Sequence, residues 1–585
     1  MTPRSPEVNL KSMQNAMESL SDSLDWLDNI DDREMLRLSQ EMKGSEYNLL
    51  AERTQSLVCG SRYIQNRSSA INRLPPKILS TIFELLMPPY PKIKFFITDP
   101  DDVDYEFDPE AADTIENNSS TSWAAITASS LVCRHWRNIA LATPALWTDI
   151  LISSPDADFV STQLVRSGVC PLNVQFKGPV SPASLELTFV NNLLQQAHRI
   201  RRLIVWVKTQ SDDIRPWLEN AEQLETLDVM SRFYKDSDMQ SFQDHPLLCD
   251  SRTPRLHTLS VSNWGRWQTG TFRTLRYLML SFERNLLLVD LADLANGLMA
   301  VFAANANTLE EITMADGMQP FPEKGAALEL EGVSPVDMRA LKRLLVCGMQ
   351  LYHEVIEPKL VLHECARDYR FSSSWNGPNV QFRNSNRFPV KKLFISNSHT
   401  AATNGTLAMR TFNLDRLSLL SSFIDKRDVQ ELWLSRWTDT PTGPIPTRIA
   451  SLVEPMFGVE KLVILCEERL WLSHIADFNL FPALSELQLH SQVEANYPTI
   501  LDFVTRRNED GRAIKTLRFV RDPHQNCDTV DFGTFELRKA HLESYVANVV
   551  YDNVPDGSKP PRMTLPAVCT TKSPVHAYWN PWELH

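Results

Sequence analysis

Leu224-Glu-Thr-Leu227-Asp-Val229, Leu256-His-Thr-Leu259-Ser-Val261 and Leu275-Arg-Tyr-Leu278-Met-Leu280 follow one another in this chain. Each runs apolar, two polar residues, apolar, any residue, apolar. The pattern opens earlier, at Ile200-Arg-Arg-Leu203-Ile-Val205. It continues in the hexamers beginning at Leu309, Leu341, Val390, Leu414, Val459, Leu484 and Ile514. The last apolar pair of each hexamer is spaced by two, which puts both side chains on one side of a short strand. A single such unit cannot bury its own face, so neighbouring units must stack in parallel to form a continuous core.

Steps between hexamers run from 19 residues (256 to 275) to 49 (341 to 390). Most lie near the length of one leucine-rich repeat, a strand plus a return segment. The fold class expected is therefore α/β: N-terminal helices, then an irregular leucine-rich-repeat-like solenoid over 151–550 with parallel strands alternating with helices. The two long steps, 341 to 390 and 414 to 459, imply insertions or an unrecognised repeat. The Asn or Cys usual after the last apolar position does not recur, and an ordinary α/β fold with unrelated strands stays open as the alternative. Residues flanking the inward pair should face the open side. That places Arg202, Ile204, Trp206, Tyr277, Met279, Arg343, Leu345, Lys392, Phe394, Lys461 and Val463 on a basic and apolar surface suited to a protein substrate. A register slip of one residue would reverse the facing.

Composition narrows the function class. The 585 residues are 43% hydrophobic and 22% charged, with a formal net charge of −13. An acidic balance argues against general nucleic-acid binding, which needs excess Lys and Arg. Nine cysteines are scattered with no C-x-x-C pair, neither a disulfide framework nor zinc spacing. The N-terminus lacks the basic start and apolar stretch of a signal peptide, and no run approaches 18 apolar residues. Cytoplasm and/or nucleus, with no membrane partner, is the expectation. Gly-rich phosphate cradles and G-x-S-x-G are absent. His353-Glu354-Val355-Ile356-Glu357 has Glu where a zinc protease needs its second His. No enzyme, metal or cofactor is expected.

Upstream, residues 1–70 read as a helical segment, either an intramolecular hairpin or a short dimerising coiled coil. Residues 71–150 hold two amphipathic helices. In the first, Ile78, Leu79, Ile82, Phe83, Leu85 and Leu86 form a broad apolar stripe after Pro75-Pro76. The second, about Trp123 to Ala142, carries Val132, Trp136, Ile139 and Ala140 at helical spacing. An acidic insertion at about 90–122 fails the calcium-loop pattern, with Val103 at position five and Asp104 at six, and reads as a solvated loop. Residues 551–585, rich in Pro and Trp, read as a tail that either caps the repeats or is disordered.

Leu74-Pro75-Pro76-x-Ile78-Leu79-x-x-Ile82-Phe83, Leu131-Val132-Cys133-Arg134-His135-Trp136-Arg137-Asn138-Ile139-Ala140 and Pro144-x-Leu146-Trp147 together resemble an F-box. They look most like the F-box proteins abundant in mushroom-forming fungi, which also share the Leu164-Val165-Arg166-Ser167-Gly168-Val169-Cys170-Pro171-Leu172 turn. The resemblance implies a substrate receptor of an SCF-type ubiquitin ligase. Its F-box would dock on a Skp-family adaptor and through it a cullin, and its repeats would hold an unknown protein substrate. Carried over onto matching positions, adaptor contacts fall at Leu74, Pro75, Ile78, Leu79, Ile82, Val132, Cys133 and Trp136. The competing reading is that stripe residues, Phe83 and Trp147 especially, only hold the motif together. Lys77 stands where an acidic residue is usual, and the acidic insertion parts the two halves. The alternative function is a non-ligase interaction scaffold with a degenerate F-box.

Overall fold

A computed structural model describes residues 44–87, 126–152, 157–176, 187–207, 217–218, 220–231, 253–262, 272–282, 291–316, 333–347, 352–363, 365–370, 389–396 and 399–412. It further describes 424–435, 451–465, 468–490, 493–521, 532–553, 562–574, 579 and 581–582, with isolated positions 15, 18, 19, 22 and 37. The acidic insertion and most of residues 1–43 lie outside this set. The described residues fall into two compact units: 44–87 with 126–147 and 165–168, and the remainder from 148 onward.

The first unit is helical. Helix α1 spans Gly44–Ser68 and α2 spans Pro76–Leu86. Pro75 sits at the N-cap of α2 and Pro76 at its first position, where a missing N–H leaves nothing unpaired. The helix stops at Met87, whose backbone turns extended. One helix was expected over 123–142, but the chain forms two, 126–132 and α3 (Arg134–Leu141), broken at Cys133 with φ −161 and ψ 168. The Cys133 carbonyl starts α3 by accepting from the Arg137 N–H at 3.0 Å, and Arg137 Nε reaches back to the Ser130 carbonyl at 2.9 Å. No Gly or Pro marks this break in the sequence.

The second unit is mixed α/β around a 17-stranded, mostly parallel sheet. Its strands are β1 (Asp149–Ile152), β2 (Leu172–Phe176), β3 (Ile200–Val207), β4 (Thr226–Ser231), β5 (Thr258–Ser262), β6 (Tyr277–Phe282), β7 (Glu311–Asp316), then β9 (Arg343–Cys347), with β8 (Val336–Met338) set apart. β10 (Leu360–Leu362) pairs only with β8. The sheet continues with β11 (Ala366–Arg370), β12 (Lys392–Ile395), β13 (His399–Thr403), β14 (Ala408–Phe412), β15 (Glu431–Leu434), β16 (Lys461–Ile464), β17 (Glu486–Leu489), β18 (Thr516–Arg521) and β19 (Asn548–Asn553). Helices α4 (Ala157–Arg166), α5 (Leu187–Leu194), α6 (Leu291–Asn305), α7 (Glu468–Asp477), α8 (Val493–Glu509) and α9 (Phe532–Leu542) lie between strands, and a short α10 (Ala567–Thr570) follows β19.

Strands pair parallel in chain order from β1 to β7, then through β9 to β11. One meander interrupts the order. β11 pairs with β14, β13 runs antiparallel between β14 and β12, and β12 hands on to β15. From there to β19 the order again follows the chain.

The hexamers are the strands. Leu203 and Val205, Leu227 and Val229, and Leu259 and Val261 are all buried in one continuous core, as are the matching pairs down to Leu517 and Phe519. The hexamer at Leu414 lies outside the described residues. Both long steps contain a strand the pattern passed over. β15 fits it as Val429-x-x-Leu432-Trp-Leu434, all three apolar positions buried. β11 does not fit, because Arg367 and Tyr369 occupy the core-side positions. Tyr369 is buried there by donating its hydroxyl to Glu357 Oε1 at 2.7 Å.

Buried polar side chains tie the segments between strands to one another. Asn305 receives the Leu275 N–H and donates to the Phe272 and Val301 carbonyls. Arg507 donates to the carbonyls of Leu480, Phe481 and Leu484 just ahead of β17. Arg199 likewise holds the Cys170 carbonyl ahead of β2. Each satisfies carbonyls that would otherwise be desolvated without a donor.

Candidate functional site

The helical unit closes a small core and leaves apolar side chains outside it. Leu79 and Phe83, one turn apart on α2, are buried with Ile126, Ile139, Ala140, Leu146 and Trp147. Phe83 meets the Trp136 ring at 5.0 Å between centroids, and the Trp136 indole N–H donates to Asn72 Oδ1. Trp147 donates to the Ala140 carbonyl at 3.0 Å, and the Arg166 guanidinium lies 4.4 Å over its ring.

Among the residues carried over as adaptor contacts, Pro75, Ile78 and Val132 are exposed, while Leu74, Ile82, Cys133 and Trp136 are half-buried. Leu79 has no exposed surface, which corrects its assignment: its side chain is the centre of the hairpin core and cannot touch a partner. Exposed apolar residues absent from that set include Leu85 at 79%, Leu86 at 55% and Leu131 at 66%. The signal for Leu85 and Leu86 was in the stripe itself, which is too broad for one small core.

The outer face of the sheet departs further from expectation. Ile204, Met279, Leu345, Phe394 and Val463 do share a register on it, yet all are buried, and so is Arg343. Over the middle of the sheet the cover is the chain's own C-terminal segment. Met563 packs with Phe394, Ala401, Trp433 and Val463, and Cys569, Trp579 and Trp582 pack with Ala315, Leu345, Cys347, Ala366 and Ala408. Phe394, Leu345, Val463 and Arg343 are therefore not an open substrate surface. The described tail residues, 562–574, 579, 581 and 582, thus pack over the middle of the sheet and not at the end of the strand array, where a cap would sit.

Polar contacts fix this segment. Arg343 pairs with Glu311 and donates to the Val568 carbonyl at 3.3 Å and to Thr571 Oγ1 at 2.8 Å. Ser573 Oγ donates to Glu311 Oε2 at 2.6 Å, and Arg410 pairs with Asp368 at 2.6 Å. Burial pushes the Cys569 thiol up to about 12.

Other expected surface residues stay partly open. Lys392 pairs with Glu431 and Lys461 with Glu486, both at 2.9 Å. Tyr277 is half-buried with the Arg276 guanidinium 5.5 Å over its ring. Trp206 lies on β3, and its side chain is outside the described residues. Arg202 is half-buried between two carboxylates raised by burial to about 6, Asp149 and Asp228, the latter accepting from Ser260 Oγ at 2.6 Å. Burial lowers the Arg202 guanidinium in turn, with Asp228 and Asp149 opposing.

Among the described residues, no group of three or more His, Cys, Asp and Glu side chains is placed to hold a metal ion, and no helix is long and apolar enough to cross a membrane. The sites that emerge are surfaces, one apolar and open on α2 and 126–132, one covered on the sheet. No protein-family model matches the chain, and a search of curated proteins returns no match.

Proposed function

We propose that the chain is a non-catalytic substrate receptor of an SCF-type ubiquitin ligase, working in the cytoplasm or nucleus. The helical unit docks on a Skp-family adaptor and through it a cullin, and the sheet unit, read as an irregular leucine-rich-repeat-like solenoid, holds a target protein. The observation that carries this is the open apolar surface. Ile78, Leu85, Leu86, Leu131 and Val132 are exposed on two short helical stretches whose core is already complete without them. Apolar side chains gathered in excess of what a unit buries mark a partner surface. The solenoid reading is supported by strands that follow chain order and come from one repeated hexamer.

The docking test is a triple substitution, Ile78→Ser, Leu85→Ser and Val132→Ser, in the full chain. All three positions are exposed, so folding is preserved, whereas a Leu79 substitution would empty the core. Capture of adaptor and cullin from cells with blocked proteasomes should fall at least tenfold. Equal recovery from both proteins would reject the docking surface and favour the alternative, a repeat scaffold outside any ligase. Lys77, exposed on the same helix, and the acidic insertion that parts the two halves of the motif are the features on which that alternative rests.

A further inference from the structure

We propose that the outer face of β7, β9, β11 and β14 is a binding surface for a protein segment carrying two aromatic side chains three positions apart, and that the chain's own Val568–Ser573, Trp579 and Trp582 occupy it as a resident ligand. This deepens the receptor reading by naming the class of target, and only the word target rests on that reading.

Trp579 and Trp582 supply the pattern. Trp579 lies under the Arg343 guanidinium at 5.7 Å and Trp582 under that of Arg410 at 4.9 Å. Both cations are held in place from the sheet, Arg343 by Glu311 and Arg410 by Asp368, so their faces are set before a ring arrives. The floor between them is shallow: Ala366 stands in register with Arg343 on one side and Ala408 on the other. Small side chains there leave depth for two indoles.

The remaining contacts are ones that many segments can make. Arg343 takes a main-chain carbonyl and a threonine hydroxyl, and Glu311 takes a serine hydroxyl. The face thus reads two rings, two hydroxyls and a main-chain carbonyl. This is the aromatic-anchor chemistry of an interface, built within one chain.

The resident ligand is imperfect, which leaves room for exchange. Neither the Trp579 nor the Trp582 indole N–H has a hydrogen-bond partner among the described residues, although both rings are buried. Each unpaired buried donor subtracts from the hold. A segment that pairs them binds more tightly than the resident one. Tethering raises the resident's effective concentration to the order of millimolar, so a competitor must have such an advantage.

The experiment uses the full chain with a protease recognition sequence placed within 554–561. After cutting, the resident segment is held by contacts alone. A fluorescent peptide of residues 562–585 should then exchange into the nicked protein and not into the uncut one. The same peptide with Trp579→Ala and Trp582→Ala should bind about 30-fold more weakly or worse. An unrelated peptide keeping only Thr571, Ser573, Trp579 and Trp582 at their spacing should compete. Cys569 should alkylate faster as the segment leaves. No uptake by the nicked protein, equal uptake of the Trp and Ala peptides, or failure of the unrelated peptide to compete would each overturn the proposal. Adaptor capture from the same nicked sample reports on the helical unit separately, so either reading can fail alone.

Discussion

Ile78, Leu85 and Leu86 on α2 stay open to solvent, whereas Leu345, Phe394 and Val463 on the sheet's outer face are wholly covered by the chain itself. Both regions present apolar side chains beyond what their local elements can bury. The difference is that the second region has a length of chain to spend on cover and the first has none among the described residues. An apolar face left open by a folded unit points outward to a partner. One closed by its own tail points to competition between that tail and something else.

The contrast is sharpest in what substitutions should do. Replacing Arg410 by Ala removes the guanidinium paired with Asp368, a carboxylate with no exposed surface. Stability of the sheet unit should drop by about 3–5 kcal/mol in urea unfolding, while Arg410→Met with Asp368→Leu should lie near wild type. A double variant as unstable as the single one would refute the pairing.

In the helical unit, Phe83→Ala should cost about 3–5 kcal/mol, because seven buried residues offer little room to relax. Ile78→Ser, five positions earlier on the open side, should change stability by no more than about 0.5 kcal/mol. Similar losses from the two would erase the inside–outside distinction on α2.

A pH difference separates the ends of the sheet. Asp149 and Asp228 are raised from 3.8 to about 6, chiefly by burial. A carboxyl with a raised folded-state pKa contributes stability that is whole below about 4 and is lost as pH climbs through about 6. Relative to Asp149→Asn with Asp228→Asn, the wild-type melting temperature should therefore fall between pH 4 and pH 7. Parallel curves would mean the two carboxyls titrate normally. The smallest effect belongs to the partly open ion pairs: Lys461→Ala should cost about 0–1 kcal/mol, read in the same unfolding assay.

Particular residues show what could be read in advance. The hexamers became strands because their spacing of two is a local property, and ten of them lie in described strands with the apolar pair buried. β15 was legible in the same code and passed over. β11 was not legible, since its core side carries Arg367 and Tyr369, and the burial of Tyr369 depends on Glu357, which only folding brings near. The break at Cys133 had no Gly or Pro to announce it. On the site side, Pro75, Ile78 and Val132 are exposed as a docking role requires, while Leu79 belongs to the core. A helix stripe tells which residues are apolar, and the number of neighbours decides which of them are covered.

The amino-acid order alone determined ten of the strand positions, the α/β class and the amphipathic α2, because each follows from periodicity within a few residues. Only the tertiary structure decided that the middle of the sheet's outer face is covered by the chain's own Met563, Cys569, Trp579 and Trp582. Contacts such as Arg343 to Thr571 join positions 228 apart, and no local pattern encodes a pairing at that distance. Which side of a strand stays open is a property of what folds back upon it.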